Sequence, residues 1–109
     1  MLKARLQNLS PTHFKAAMAS EAQAILIDVR TPEEFQQFHF DGALNISYLA
    51  PDMWERMEQL DKDKTYLIYC RSGRRSVRVG TLMRNGGFDA QKIFHLDGGL
   101  LNWEATEDL

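Results

Sequence analysis

Residues 65–76 read TYLIYCRSGRRS, and this stretch decides the fold. Residues 65–70 are aromatic and apolar nearly throughout, which is typical of a buried β-strand. A short loop containing Gly73 follows. Val79, Leu82 and Met83 then lie at helical spacing and predict a helix over Arg74–Asn85 with these side chains on its core face, ended by a glycine pair. The sequence therefore predicts a strand, a tight loop and a helix, with Cys70 at the point where the strand meets the loop.

The rest of the chain alternates between apolar, strand-like runs and helical spacing, which is typical of an α/β domain. Residues 24–27 are apolar without alternation, as expected for a strand that is covered on both faces. Thr31 to Glu34 form a capping box that opens a short helix through Phe35 and Phe38, whose side chains we expect in the core. We predict further helices at 11–20, 53–60 and 100–103, and further strands at 43–46 and 92–96.

The length and composition are those of an ordinary soluble domain. The chain has 109 residues, of which 44% are hydrophobic and 26% are charged, and this length supports one core. We expect a single domain over residues 1–109, with its core at about 10–103. No apolar run is long enough to span a bilayer, and residues 1–5 carry charges without an apolar signal core behind them. We therefore expect a cytoplasmic protein that binds no membrane.

Positive charge is concentrated around the one thiol. Thirteen basic and 15 acidic residues give a net charge of −2, which argues against a protein that binds nucleic acid through general positive charge. Residues 70–79 nevertheless contain no acid and four arginines, so the remaining chain carries nine basic and 15 acidic residues. These arginines are Arg71, Arg74, Arg75 and Arg78.

Cys70 is the only cysteine in the chain. It excludes an internal disulfide, a Cys-x-x-Cys redox pair and a cysteine-rich zinc site, and we expect neither a metal nor a cofactor. A loop and a helix N-terminus behind a thiol direct backbone amides at the sulfur. Such amides and nearby guanidinium groups lower the pKa of a thiol and stabilise an anion in front of it. Without that context, a cysteine at the end of an apolar strand is more often inert.

Several motifs, in order along the chain, resemble those of single-domain rhodaneses, a family of sulfurtransferases. They are IDVRTPEEF at 27–35, DGA at 41–43, LIYCRSGRRS at 67–76, GF at 87–88 and LDGGLLNW at 96–103. The resemblance covers about residues 10–103. It implies an α/β fold of three layers, with a five-stranded, mostly parallel sheet and helices on both faces.

The resemblance also implies the roles of individual residues. Cys70 would carry a persulfide, and the loop that holds its outer sulfur would be Arg71, Ser72, Gly73, Arg74 and Arg75. Asp28 and Arg30 would support the site near its mouth, where Arg30 is able to join an electropositive rim.

The implied activity is transfer of sulfane sulfur through Cys70, without a cofactor. The donor would be a small anion such as thiosulfate or a persulfide, and the acceptor would be cyanide, a thiol or a sulfur-acceptor protein. One alternative is a non-catalytic or partner-dependent sulfur-relay module. Another is a phosphatase or arsenate reductase, but these relatives have arginine six positions after the cysteine, where this chain has Ser76. The oligomeric state is left open.

Residues 38–43 depart from the family pattern. They read FHFDGA, where the family usually has Gly-His-Ile-Pro-Gly-Ala. Because the missing glycine and proline shape a turn, the departure concerns the local backbone around Phe38 to Asp41, and whether this segment alters a partner surface is left open. We do not expect a changed mechanism.

Overall fold

The computed structural model describes residues 6–107 and contains one parallel sheet. Its five strands in the described chain are β1 (Gln7–Leu9), β2 (Ile25–Asp28), β3 (Leu44–Asn45), β4 (Tyr66–Tyr69) and β5 (Ile93–Leu96). Their order is β1-β5-β4-β2-β3, and each neighbouring pair is parallel. Residues 65–76 thus supply the central strand, β4.

The helices lie between the strands along the chain, as parallel pairing requires. They are α1 (Pro11–Ser20), α2 (Pro32–Gln37), α3 (Met53–Glu58), α4 (Arg74–Asn85) and α5 (Gly99–Glu107), and a 3₁₀ turn covers Ala90–Lys92. The bounds of α1 and α4 are those predicted. The last helix is longer than the predicted 100–103 because it begins within the glycine turn and continues past Trp103.

Apolar side chains cover both faces of the sheet. On one face, Val79 and Met83 of α4 and Met57 of α3 pack against alternate residues of the central strands. On the other face, Phe14 of α1 and Leu100 of α5 pack against the intervening strand residues. Burying a side chain of this size stabilises a fold by about 1.5–3 kcal/mol relative to exposure. The structure therefore confirms the predicted α/β fold of three layers.

The sequence-based interpretation missed β1 and misplaced two side chains. β1 has three residues, none of them fully buried, and it exists through pairing with β5, in which Asn8 lies opposite His95. Leu82, predicted on the core face of α4, is 41% exposed, and Phe38 is 51% exposed. The buried face of α4 consists of Ser76, Val79, Gly80 and Met83 instead, because the helix packs against both β4 and β5.

Within the described residues, no helix is long and apolar enough to cross a membrane. The prediction made for residues 1–5 lies outside the described residues, as do the last two residues of the predicted domain.

Candidate active site

The candidate active site lies at the carboxyl end of the sheet, where ligands bind in open parallel α/β folds. Cys70 directly follows β4 and is 1% exposed. Asp28 ends the neighbouring strand β2 opposite Tyr69, so the two predicted elements of the site meet at this edge. α4 begins four residues after the cysteine, which leaves three residues between Cys70 and the helix.

The sulfur of Cys70 has two polar neighbours in the loop and helix. The N–H of Gly73 donates to Sγ at 3.1 Å, and Oγ of Ser76 lies 3.7 Å from Sγ. Gly73 has φ of 92°, a left-handed conformation that residues with a side chain resist, and this turn brings its amide under the sulfur. Within residues 6–107, the structure gives Sγ a hydrogen bond from the Gly73 amide and none from another loop amide.

Ser76 is a site residue that the sequence-based interpretation missed. Its side chain is fully buried, and its Oγ donates to the carbonyl of Gly73 at 3.1 Å, which ties the loop to the first turn of α4. The apolar spacing of α4 contained the signal that could have identified Ser76. Ser76, Val79, Gly80 and Met83 follow the i, i+3, i+4, i+7 spacing of a buried helix face, and a polar residue at its first position marks the place nearest the strand end.

The turn before α5 supports the loop from behind. The amides of Leu100 and Leu101 donate to the carbonyls of Cys70 and Arg71, each at 3.0 Å. Gly99 has φ of 63°, and a Cβ placed there would lie 2.4 Å from the Arg71 carbonyl oxygen. The glycine pair therefore does more than turn the chain: it lets α5 approach the loop closely enough to hold its carbonyls.

Arg75, predicted as the last residue of the loop, is the second residue of α4, and an ion pair with Glu34 holds its side chain. Its Nη1 donates to Oε1 of Glu34 at 3.1 Å, and the two side chains are 36% and 27% exposed. The predicted capping box of α2 is confirmed, since Glu34 and Thr31 exchange backbone and side-chain hydrogen bonds. Burial acts to raise the pKa of Glu34, but the bonds from Thr31 and Arg75 lower it below its usual value.

Asp28 and Arg30 form a buried ion pair beside the loop. Nη2 of Arg30 lies 2.8 Å from Oδ2 of Asp28, and the side chains are 8% and 0% exposed. The same guanidinium donates to the carbonyl of Phe38. The supporting role of both residues stays a prediction, and the structure places them at the edge of the sheet where Cys70 lies. The expectation that Arg30 joins an electropositive rim is wrong, because Asp28 neutralises it and the protein covers it.

The segment that departs from the family pattern adds an aromatic residue to the core. Phe40 is buried, its amide donates to the Tyr69 hydroxyl at 3.1 Å, and its ring centroid lies 4.6 Å from that of Tyr69 and 4.8 Å from that of Trp103. Burial raises the pKa of Tyr69, so its hydroxyl stays protonated. Asp41 and Gly42 form the predicted turn, with φ of 82° at the glycine.

The remaining polar side chains of the loop and of the first turns of α4 are exposed. Arg71 and Ser72 are exposed. Arg74 and Arg78 lie one turn apart on α4 and line a cleft of about 390 Å³ on the β5 side of the loop. A second, apolar groove of about 720 Å³ lies between α1 and the segment after α2, and no residue of the Cys70 loop lines it.

A central parallel strand followed directly by a thiol, a tight loop and a helix defines an α/β protein with a cysteine loop at the carboxyl end of its sheet. The chain belongs to the rhodanese-like family, whose domain model matches residues 10–106. It is 35% identical over 99 residues to "Putative sulfurtransferase YtwF" of Bacillus subtilis, covering 91% of each chain. It is 33% identical over 87 residues to a sulfurtransferase of Allochromatium vinosum, covering 79% of this chain and 77% of the relative.

The solved structures agree with the fold. A rhodanese-related protein from Thermoplasma volcanium superposes with a TM-score of 0.76 at 21% identity, covering 92% of both chains. Family and relatives together give this chain a sulfurtransferase-type role within the rhodanese family.

Proposed function

We propose that the protein is a thiosulfate or persulfide sulfurtransferase that works through a persulfide on Cys70. The observation that carries the proposal is the hydrogen bond of 3.1 Å from the Gly73 amide to Sγ. A donor fixed on Sγ stabilises the negative charge that this atom carries as the attacking group in sulfur uptake and as the leaving group in sulfur release. The alternative of an inert buried thiol offers no reason for this bond or for the positive φ that makes it possible.

The first half-reaction loads sulfur onto the protein. The Cys70 thiolate attacks the outer sulfur of thiosulfate, a new S–S bond forms, and the S–S bond of thiosulfate breaks with its electron pair leaving on sulfite. The product is the Cys70 persulfide anion. A persulfide donor reacts in the same way and leaves as a thiolate.

The second half-reaction passes the sulfur on. An acceptor thiolate, or cyanide in an assay, attacks the outer sulfur of the persulfide and bonds to it. The bond between that sulfur and Sγ breaks, its electron pair stays on Sγ, and the Cys70 thiolate is regenerated. No oxidant or reductant is consumed. Because Cys70 is the only cysteine, no second thiol of this chain can displace the sulfur, and the acceptor is external. A thiolate that must stay reduced suits a reducing compartment, and we propose the cytoplasm.

The arginines of the loop region attract the anionic donor in this proposal. Arg71 and Arg74 are exposed, and Arg75 is partly exposed even in its ion pair. Charges around a buried nucleophile raise the local concentration of an anion and accelerate its arrival.

Two rival functions would use the same site, and the structure bears differently on each. A phosphatase or arsenate reductase of this family needs an arginine where Ser76 is buried against Sγ, and the loop is accordingly too short to surround a tetrahedral oxyanion. A relay module that works with one protein partner shares the persulfide chemistry and differs in what accepts the sulfur.

Intact-protein mass spectrometry after incubation with thiosulfate tests the proposal. We expect the protein to gain the mass of one sulfur atom and to lose it on addition of cyanide, with release of thiocyanate. The Cys70→Ser variant serves as the matched control and should gain nothing. A wild-type protein whose mass does not change, or one that hydrolyses a chromogenic phosphate ester, contradicts the assignment. Loading without turnover to small acceptors favours the relay module.

A further inference from the structure

An apolar groove lies between the outer face of α4 and the segment that follows β3. Its volume is about 320 Å³, and none of the residues that line it is acidic. These residues are Tyr48, Val77, Arg78, Thr81 and Leu82. Val77 and Leu82 are each 41% exposed, although the outer face of a surface helix ordinarily carries polar side chains. Single exposed apolar side chains are common on protein surfaces, but several that line one groove indicate a surface that another molecule covers.

The groove is continuous with the surface of the cysteine loop. Val77 and Arg78 line both this groove and the cleft on the β5 side of the loop, which Gly73 also lines. The amide of Val77 donates to the carbonyl of Gly73 at 3.1 Å, and the preceding residue, Ser76, places its Oγ 3.7 Å from Sγ. A molecule bound over Val77 is therefore one helical turn from the loop that holds Cys70.

The charge of this face indicates the chemistry of the molecule that covers it. Residues 71–88 contain five arginines and no acid, whereas the rest of the chain contains eight basic and 15 acidic residues. Arg74 and Arg78 are exposed on α4, and within residues 6–107 the structure gives neither of them an ion pair. Binding surfaces place carboxylates opposite such groups. The groove therefore fits an acidic molecule with an exposed apolar side chain.

A second copy of this chain does not fit the groove in a symmetric dimer. A twofold axis places the same patch on both partners, so that α4 would face α4 and Arg78 would lie near its own counterpart. Like charges brought together in an interface oppose association. The charge of the groove thus favours a different protein as its occupant.

We propose that this groove docks a protein that exchanges sulfur with Cys70, and that the partner presents a large apolar side chain flanked by carboxylates. The assignment rests on the proposed sulfur transfer and adds the class of partner. The apolar side chain packs between Tyr48, Val77 and Leu82, and the carboxylates pair with the exposed arginines of α4. Docking holds the partner's thiol at a high effective concentration near the loop. Its thiolate bonds to the outer sulfur of the Cys70 persulfide, and the electron pair of the broken S–S bond stays on Sγ.

Docking by itself is tested without any sulfur chemistry. The probe is a fluorescein-labelled helical peptide with leucine flanked by glutamates on one face, and a second peptide has glutamine in place of each glutamate. Fluorescence anisotropy measures the binding of both peptides to the Cys70→Ser variant. We expect saturable binding of the glutamate peptide, and binding about twofold to fivefold weaker for the glutamine peptide. Absence of saturable binding by the glutamate peptide overturns the docking site.

Variants of the groove locate the binding. Leu82→Ser should weaken the glutamate peptide about fivefold, because it removes an apolar contact from the groove. Arg78→Gln should weaken the glutamate peptide and leave the glutamine peptide unchanged. Leu44→Ser is the matched control, since Leu44 is 46% exposed but lies on β3 and does not line the groove. Equal affinities in Leu82→Ser and Leu44→Ser overturn the site, and self-association of the protein that Leu82→Ser abolishes overturns the assignment to a different protein.

The class of partner is tested with the same two peptides, each extended by a glycine-rich segment that ends in cysteine, as acceptors from persulfidated protein. We expect a higher kcat/KM for the glutamate peptide. Leu82→Ser should lower that value about fivefold and leave kcat/KM for mercaptoethanol unchanged. Equal effects of Leu82→Ser on both acceptors overturn the proposal even if the peptide binds. Failure of Cys70 to take up sulfur from thiosulfate overturns the proposed function instead, and the anisotropy measurement then shows whether the docking site stands alone.

Discussion

Nη1 of Arg75 lies 3.1 Å from Oε1 of Glu34, so the second residue of α4 is joined to the carboxylate that caps α2. The same oxygen accepts the N–H of Thr31 at 3.2 Å. One carboxylate thereby fixes the start of a helix and holds a guanidinium that an anionic donor would otherwise attract. Because both side chains are about one-third exposed, the pair is weak enough for an anion to compete with it.

Glu34→Gln should strengthen the binding of thiosulfate. The amide oxygen of glutamine still accepts the Thr31 N–H, so the cap of α2 is kept, while Arg75 loses its counter-charge. We expect KM for thiosulfate to fall about twofold to fivefold, the effect of an exposed ion pair. Glu33→Gln removes an exposed charge from the same turn and should leave KM unchanged. In Arg75→Ala, KM should rise; an unchanged KM in that variant removes Arg75 from donor binding.

Ser76→Ala should slow sulfur transfer without preventing persulfide formation. The variant loses the hydroxyl 3.7 Å from Sγ and its bond to the Gly73 carbonyl, so the Gly73 amide is held less firmly under the sulfur. A hydrogen bond of this kind contributes about 1 kcal/mol, or about fivefold in kcat/KM. Ser72→Ala changes an exposed loop serine and serves as the control. Equal kinetics in both variants would contradict a role for Ser76.

Gly99→Ala should damage both stability and activity. Its Cβ would lie 2.4 Å from the Arg71 carbonyl oxygen and 2.6 Å from that of Cys70, so the loop must move. Gly42→Ala is a matched control, since φ is also positive there but nothing lies within 4 Å. We expect both variants to lose about 1 kcal/mol or more from backbone strain in urea unfolding, and only Gly99→Ala to lose sulfur transfer as well. Full activity in Gly99→Ala would show that α5 does not support the loop.

His95 should make the fold sensitive to mild acid. Burial lowers the pKa of His95 below the 6.5 of a free side chain, while Asp97 acts in the opposite direction. The unfolded chain therefore binds more protons than the folded one below pH 6.5, and the contribution of His95 to stability, complete above that pH, is lost as the pH falls toward its folded pKa.

The measurement is the free energy of unfolding in urea at about pH 7.5 and about pH 5.5, in chloride without sulfate. His95→Gln should reduce the loss of stability between the two pH values, which is at most about 1.4 kcal/mol per pH unit for one proton. His39→Gln, at an exposed histidine, should not. Equal pH dependence in wild type and His95→Gln would contradict the assignment.

The sequence by itself determined the elements whose signals are local. α1 and α4 begin and end where caps, proline and glycine punctuate the chain, and β4 is fixed by an unbroken apolar and aromatic run. The position of Cys70 followed from the same stretch. A strand, a glycine-containing loop and a helix in that order place the thiol at the junction between strand and loop. Interactions between residues close in the chain decide these features, so they can be predicted from the order of residues alone.

Only the tertiary structure decided which charges and polar groups meet at the site. Asp28 covers the charge of Arg30, Glu34 holds Arg75, and α5 donates amides to the loop carbonyls. β1 exists only through its pairing with β5. Each of these contacts except that of Asp28 with Arg30 joins residues far apart in the chain, and even that pair depends on burial. Sheet pairing and burial arise from packing the whole chain, which local spacing does not encode.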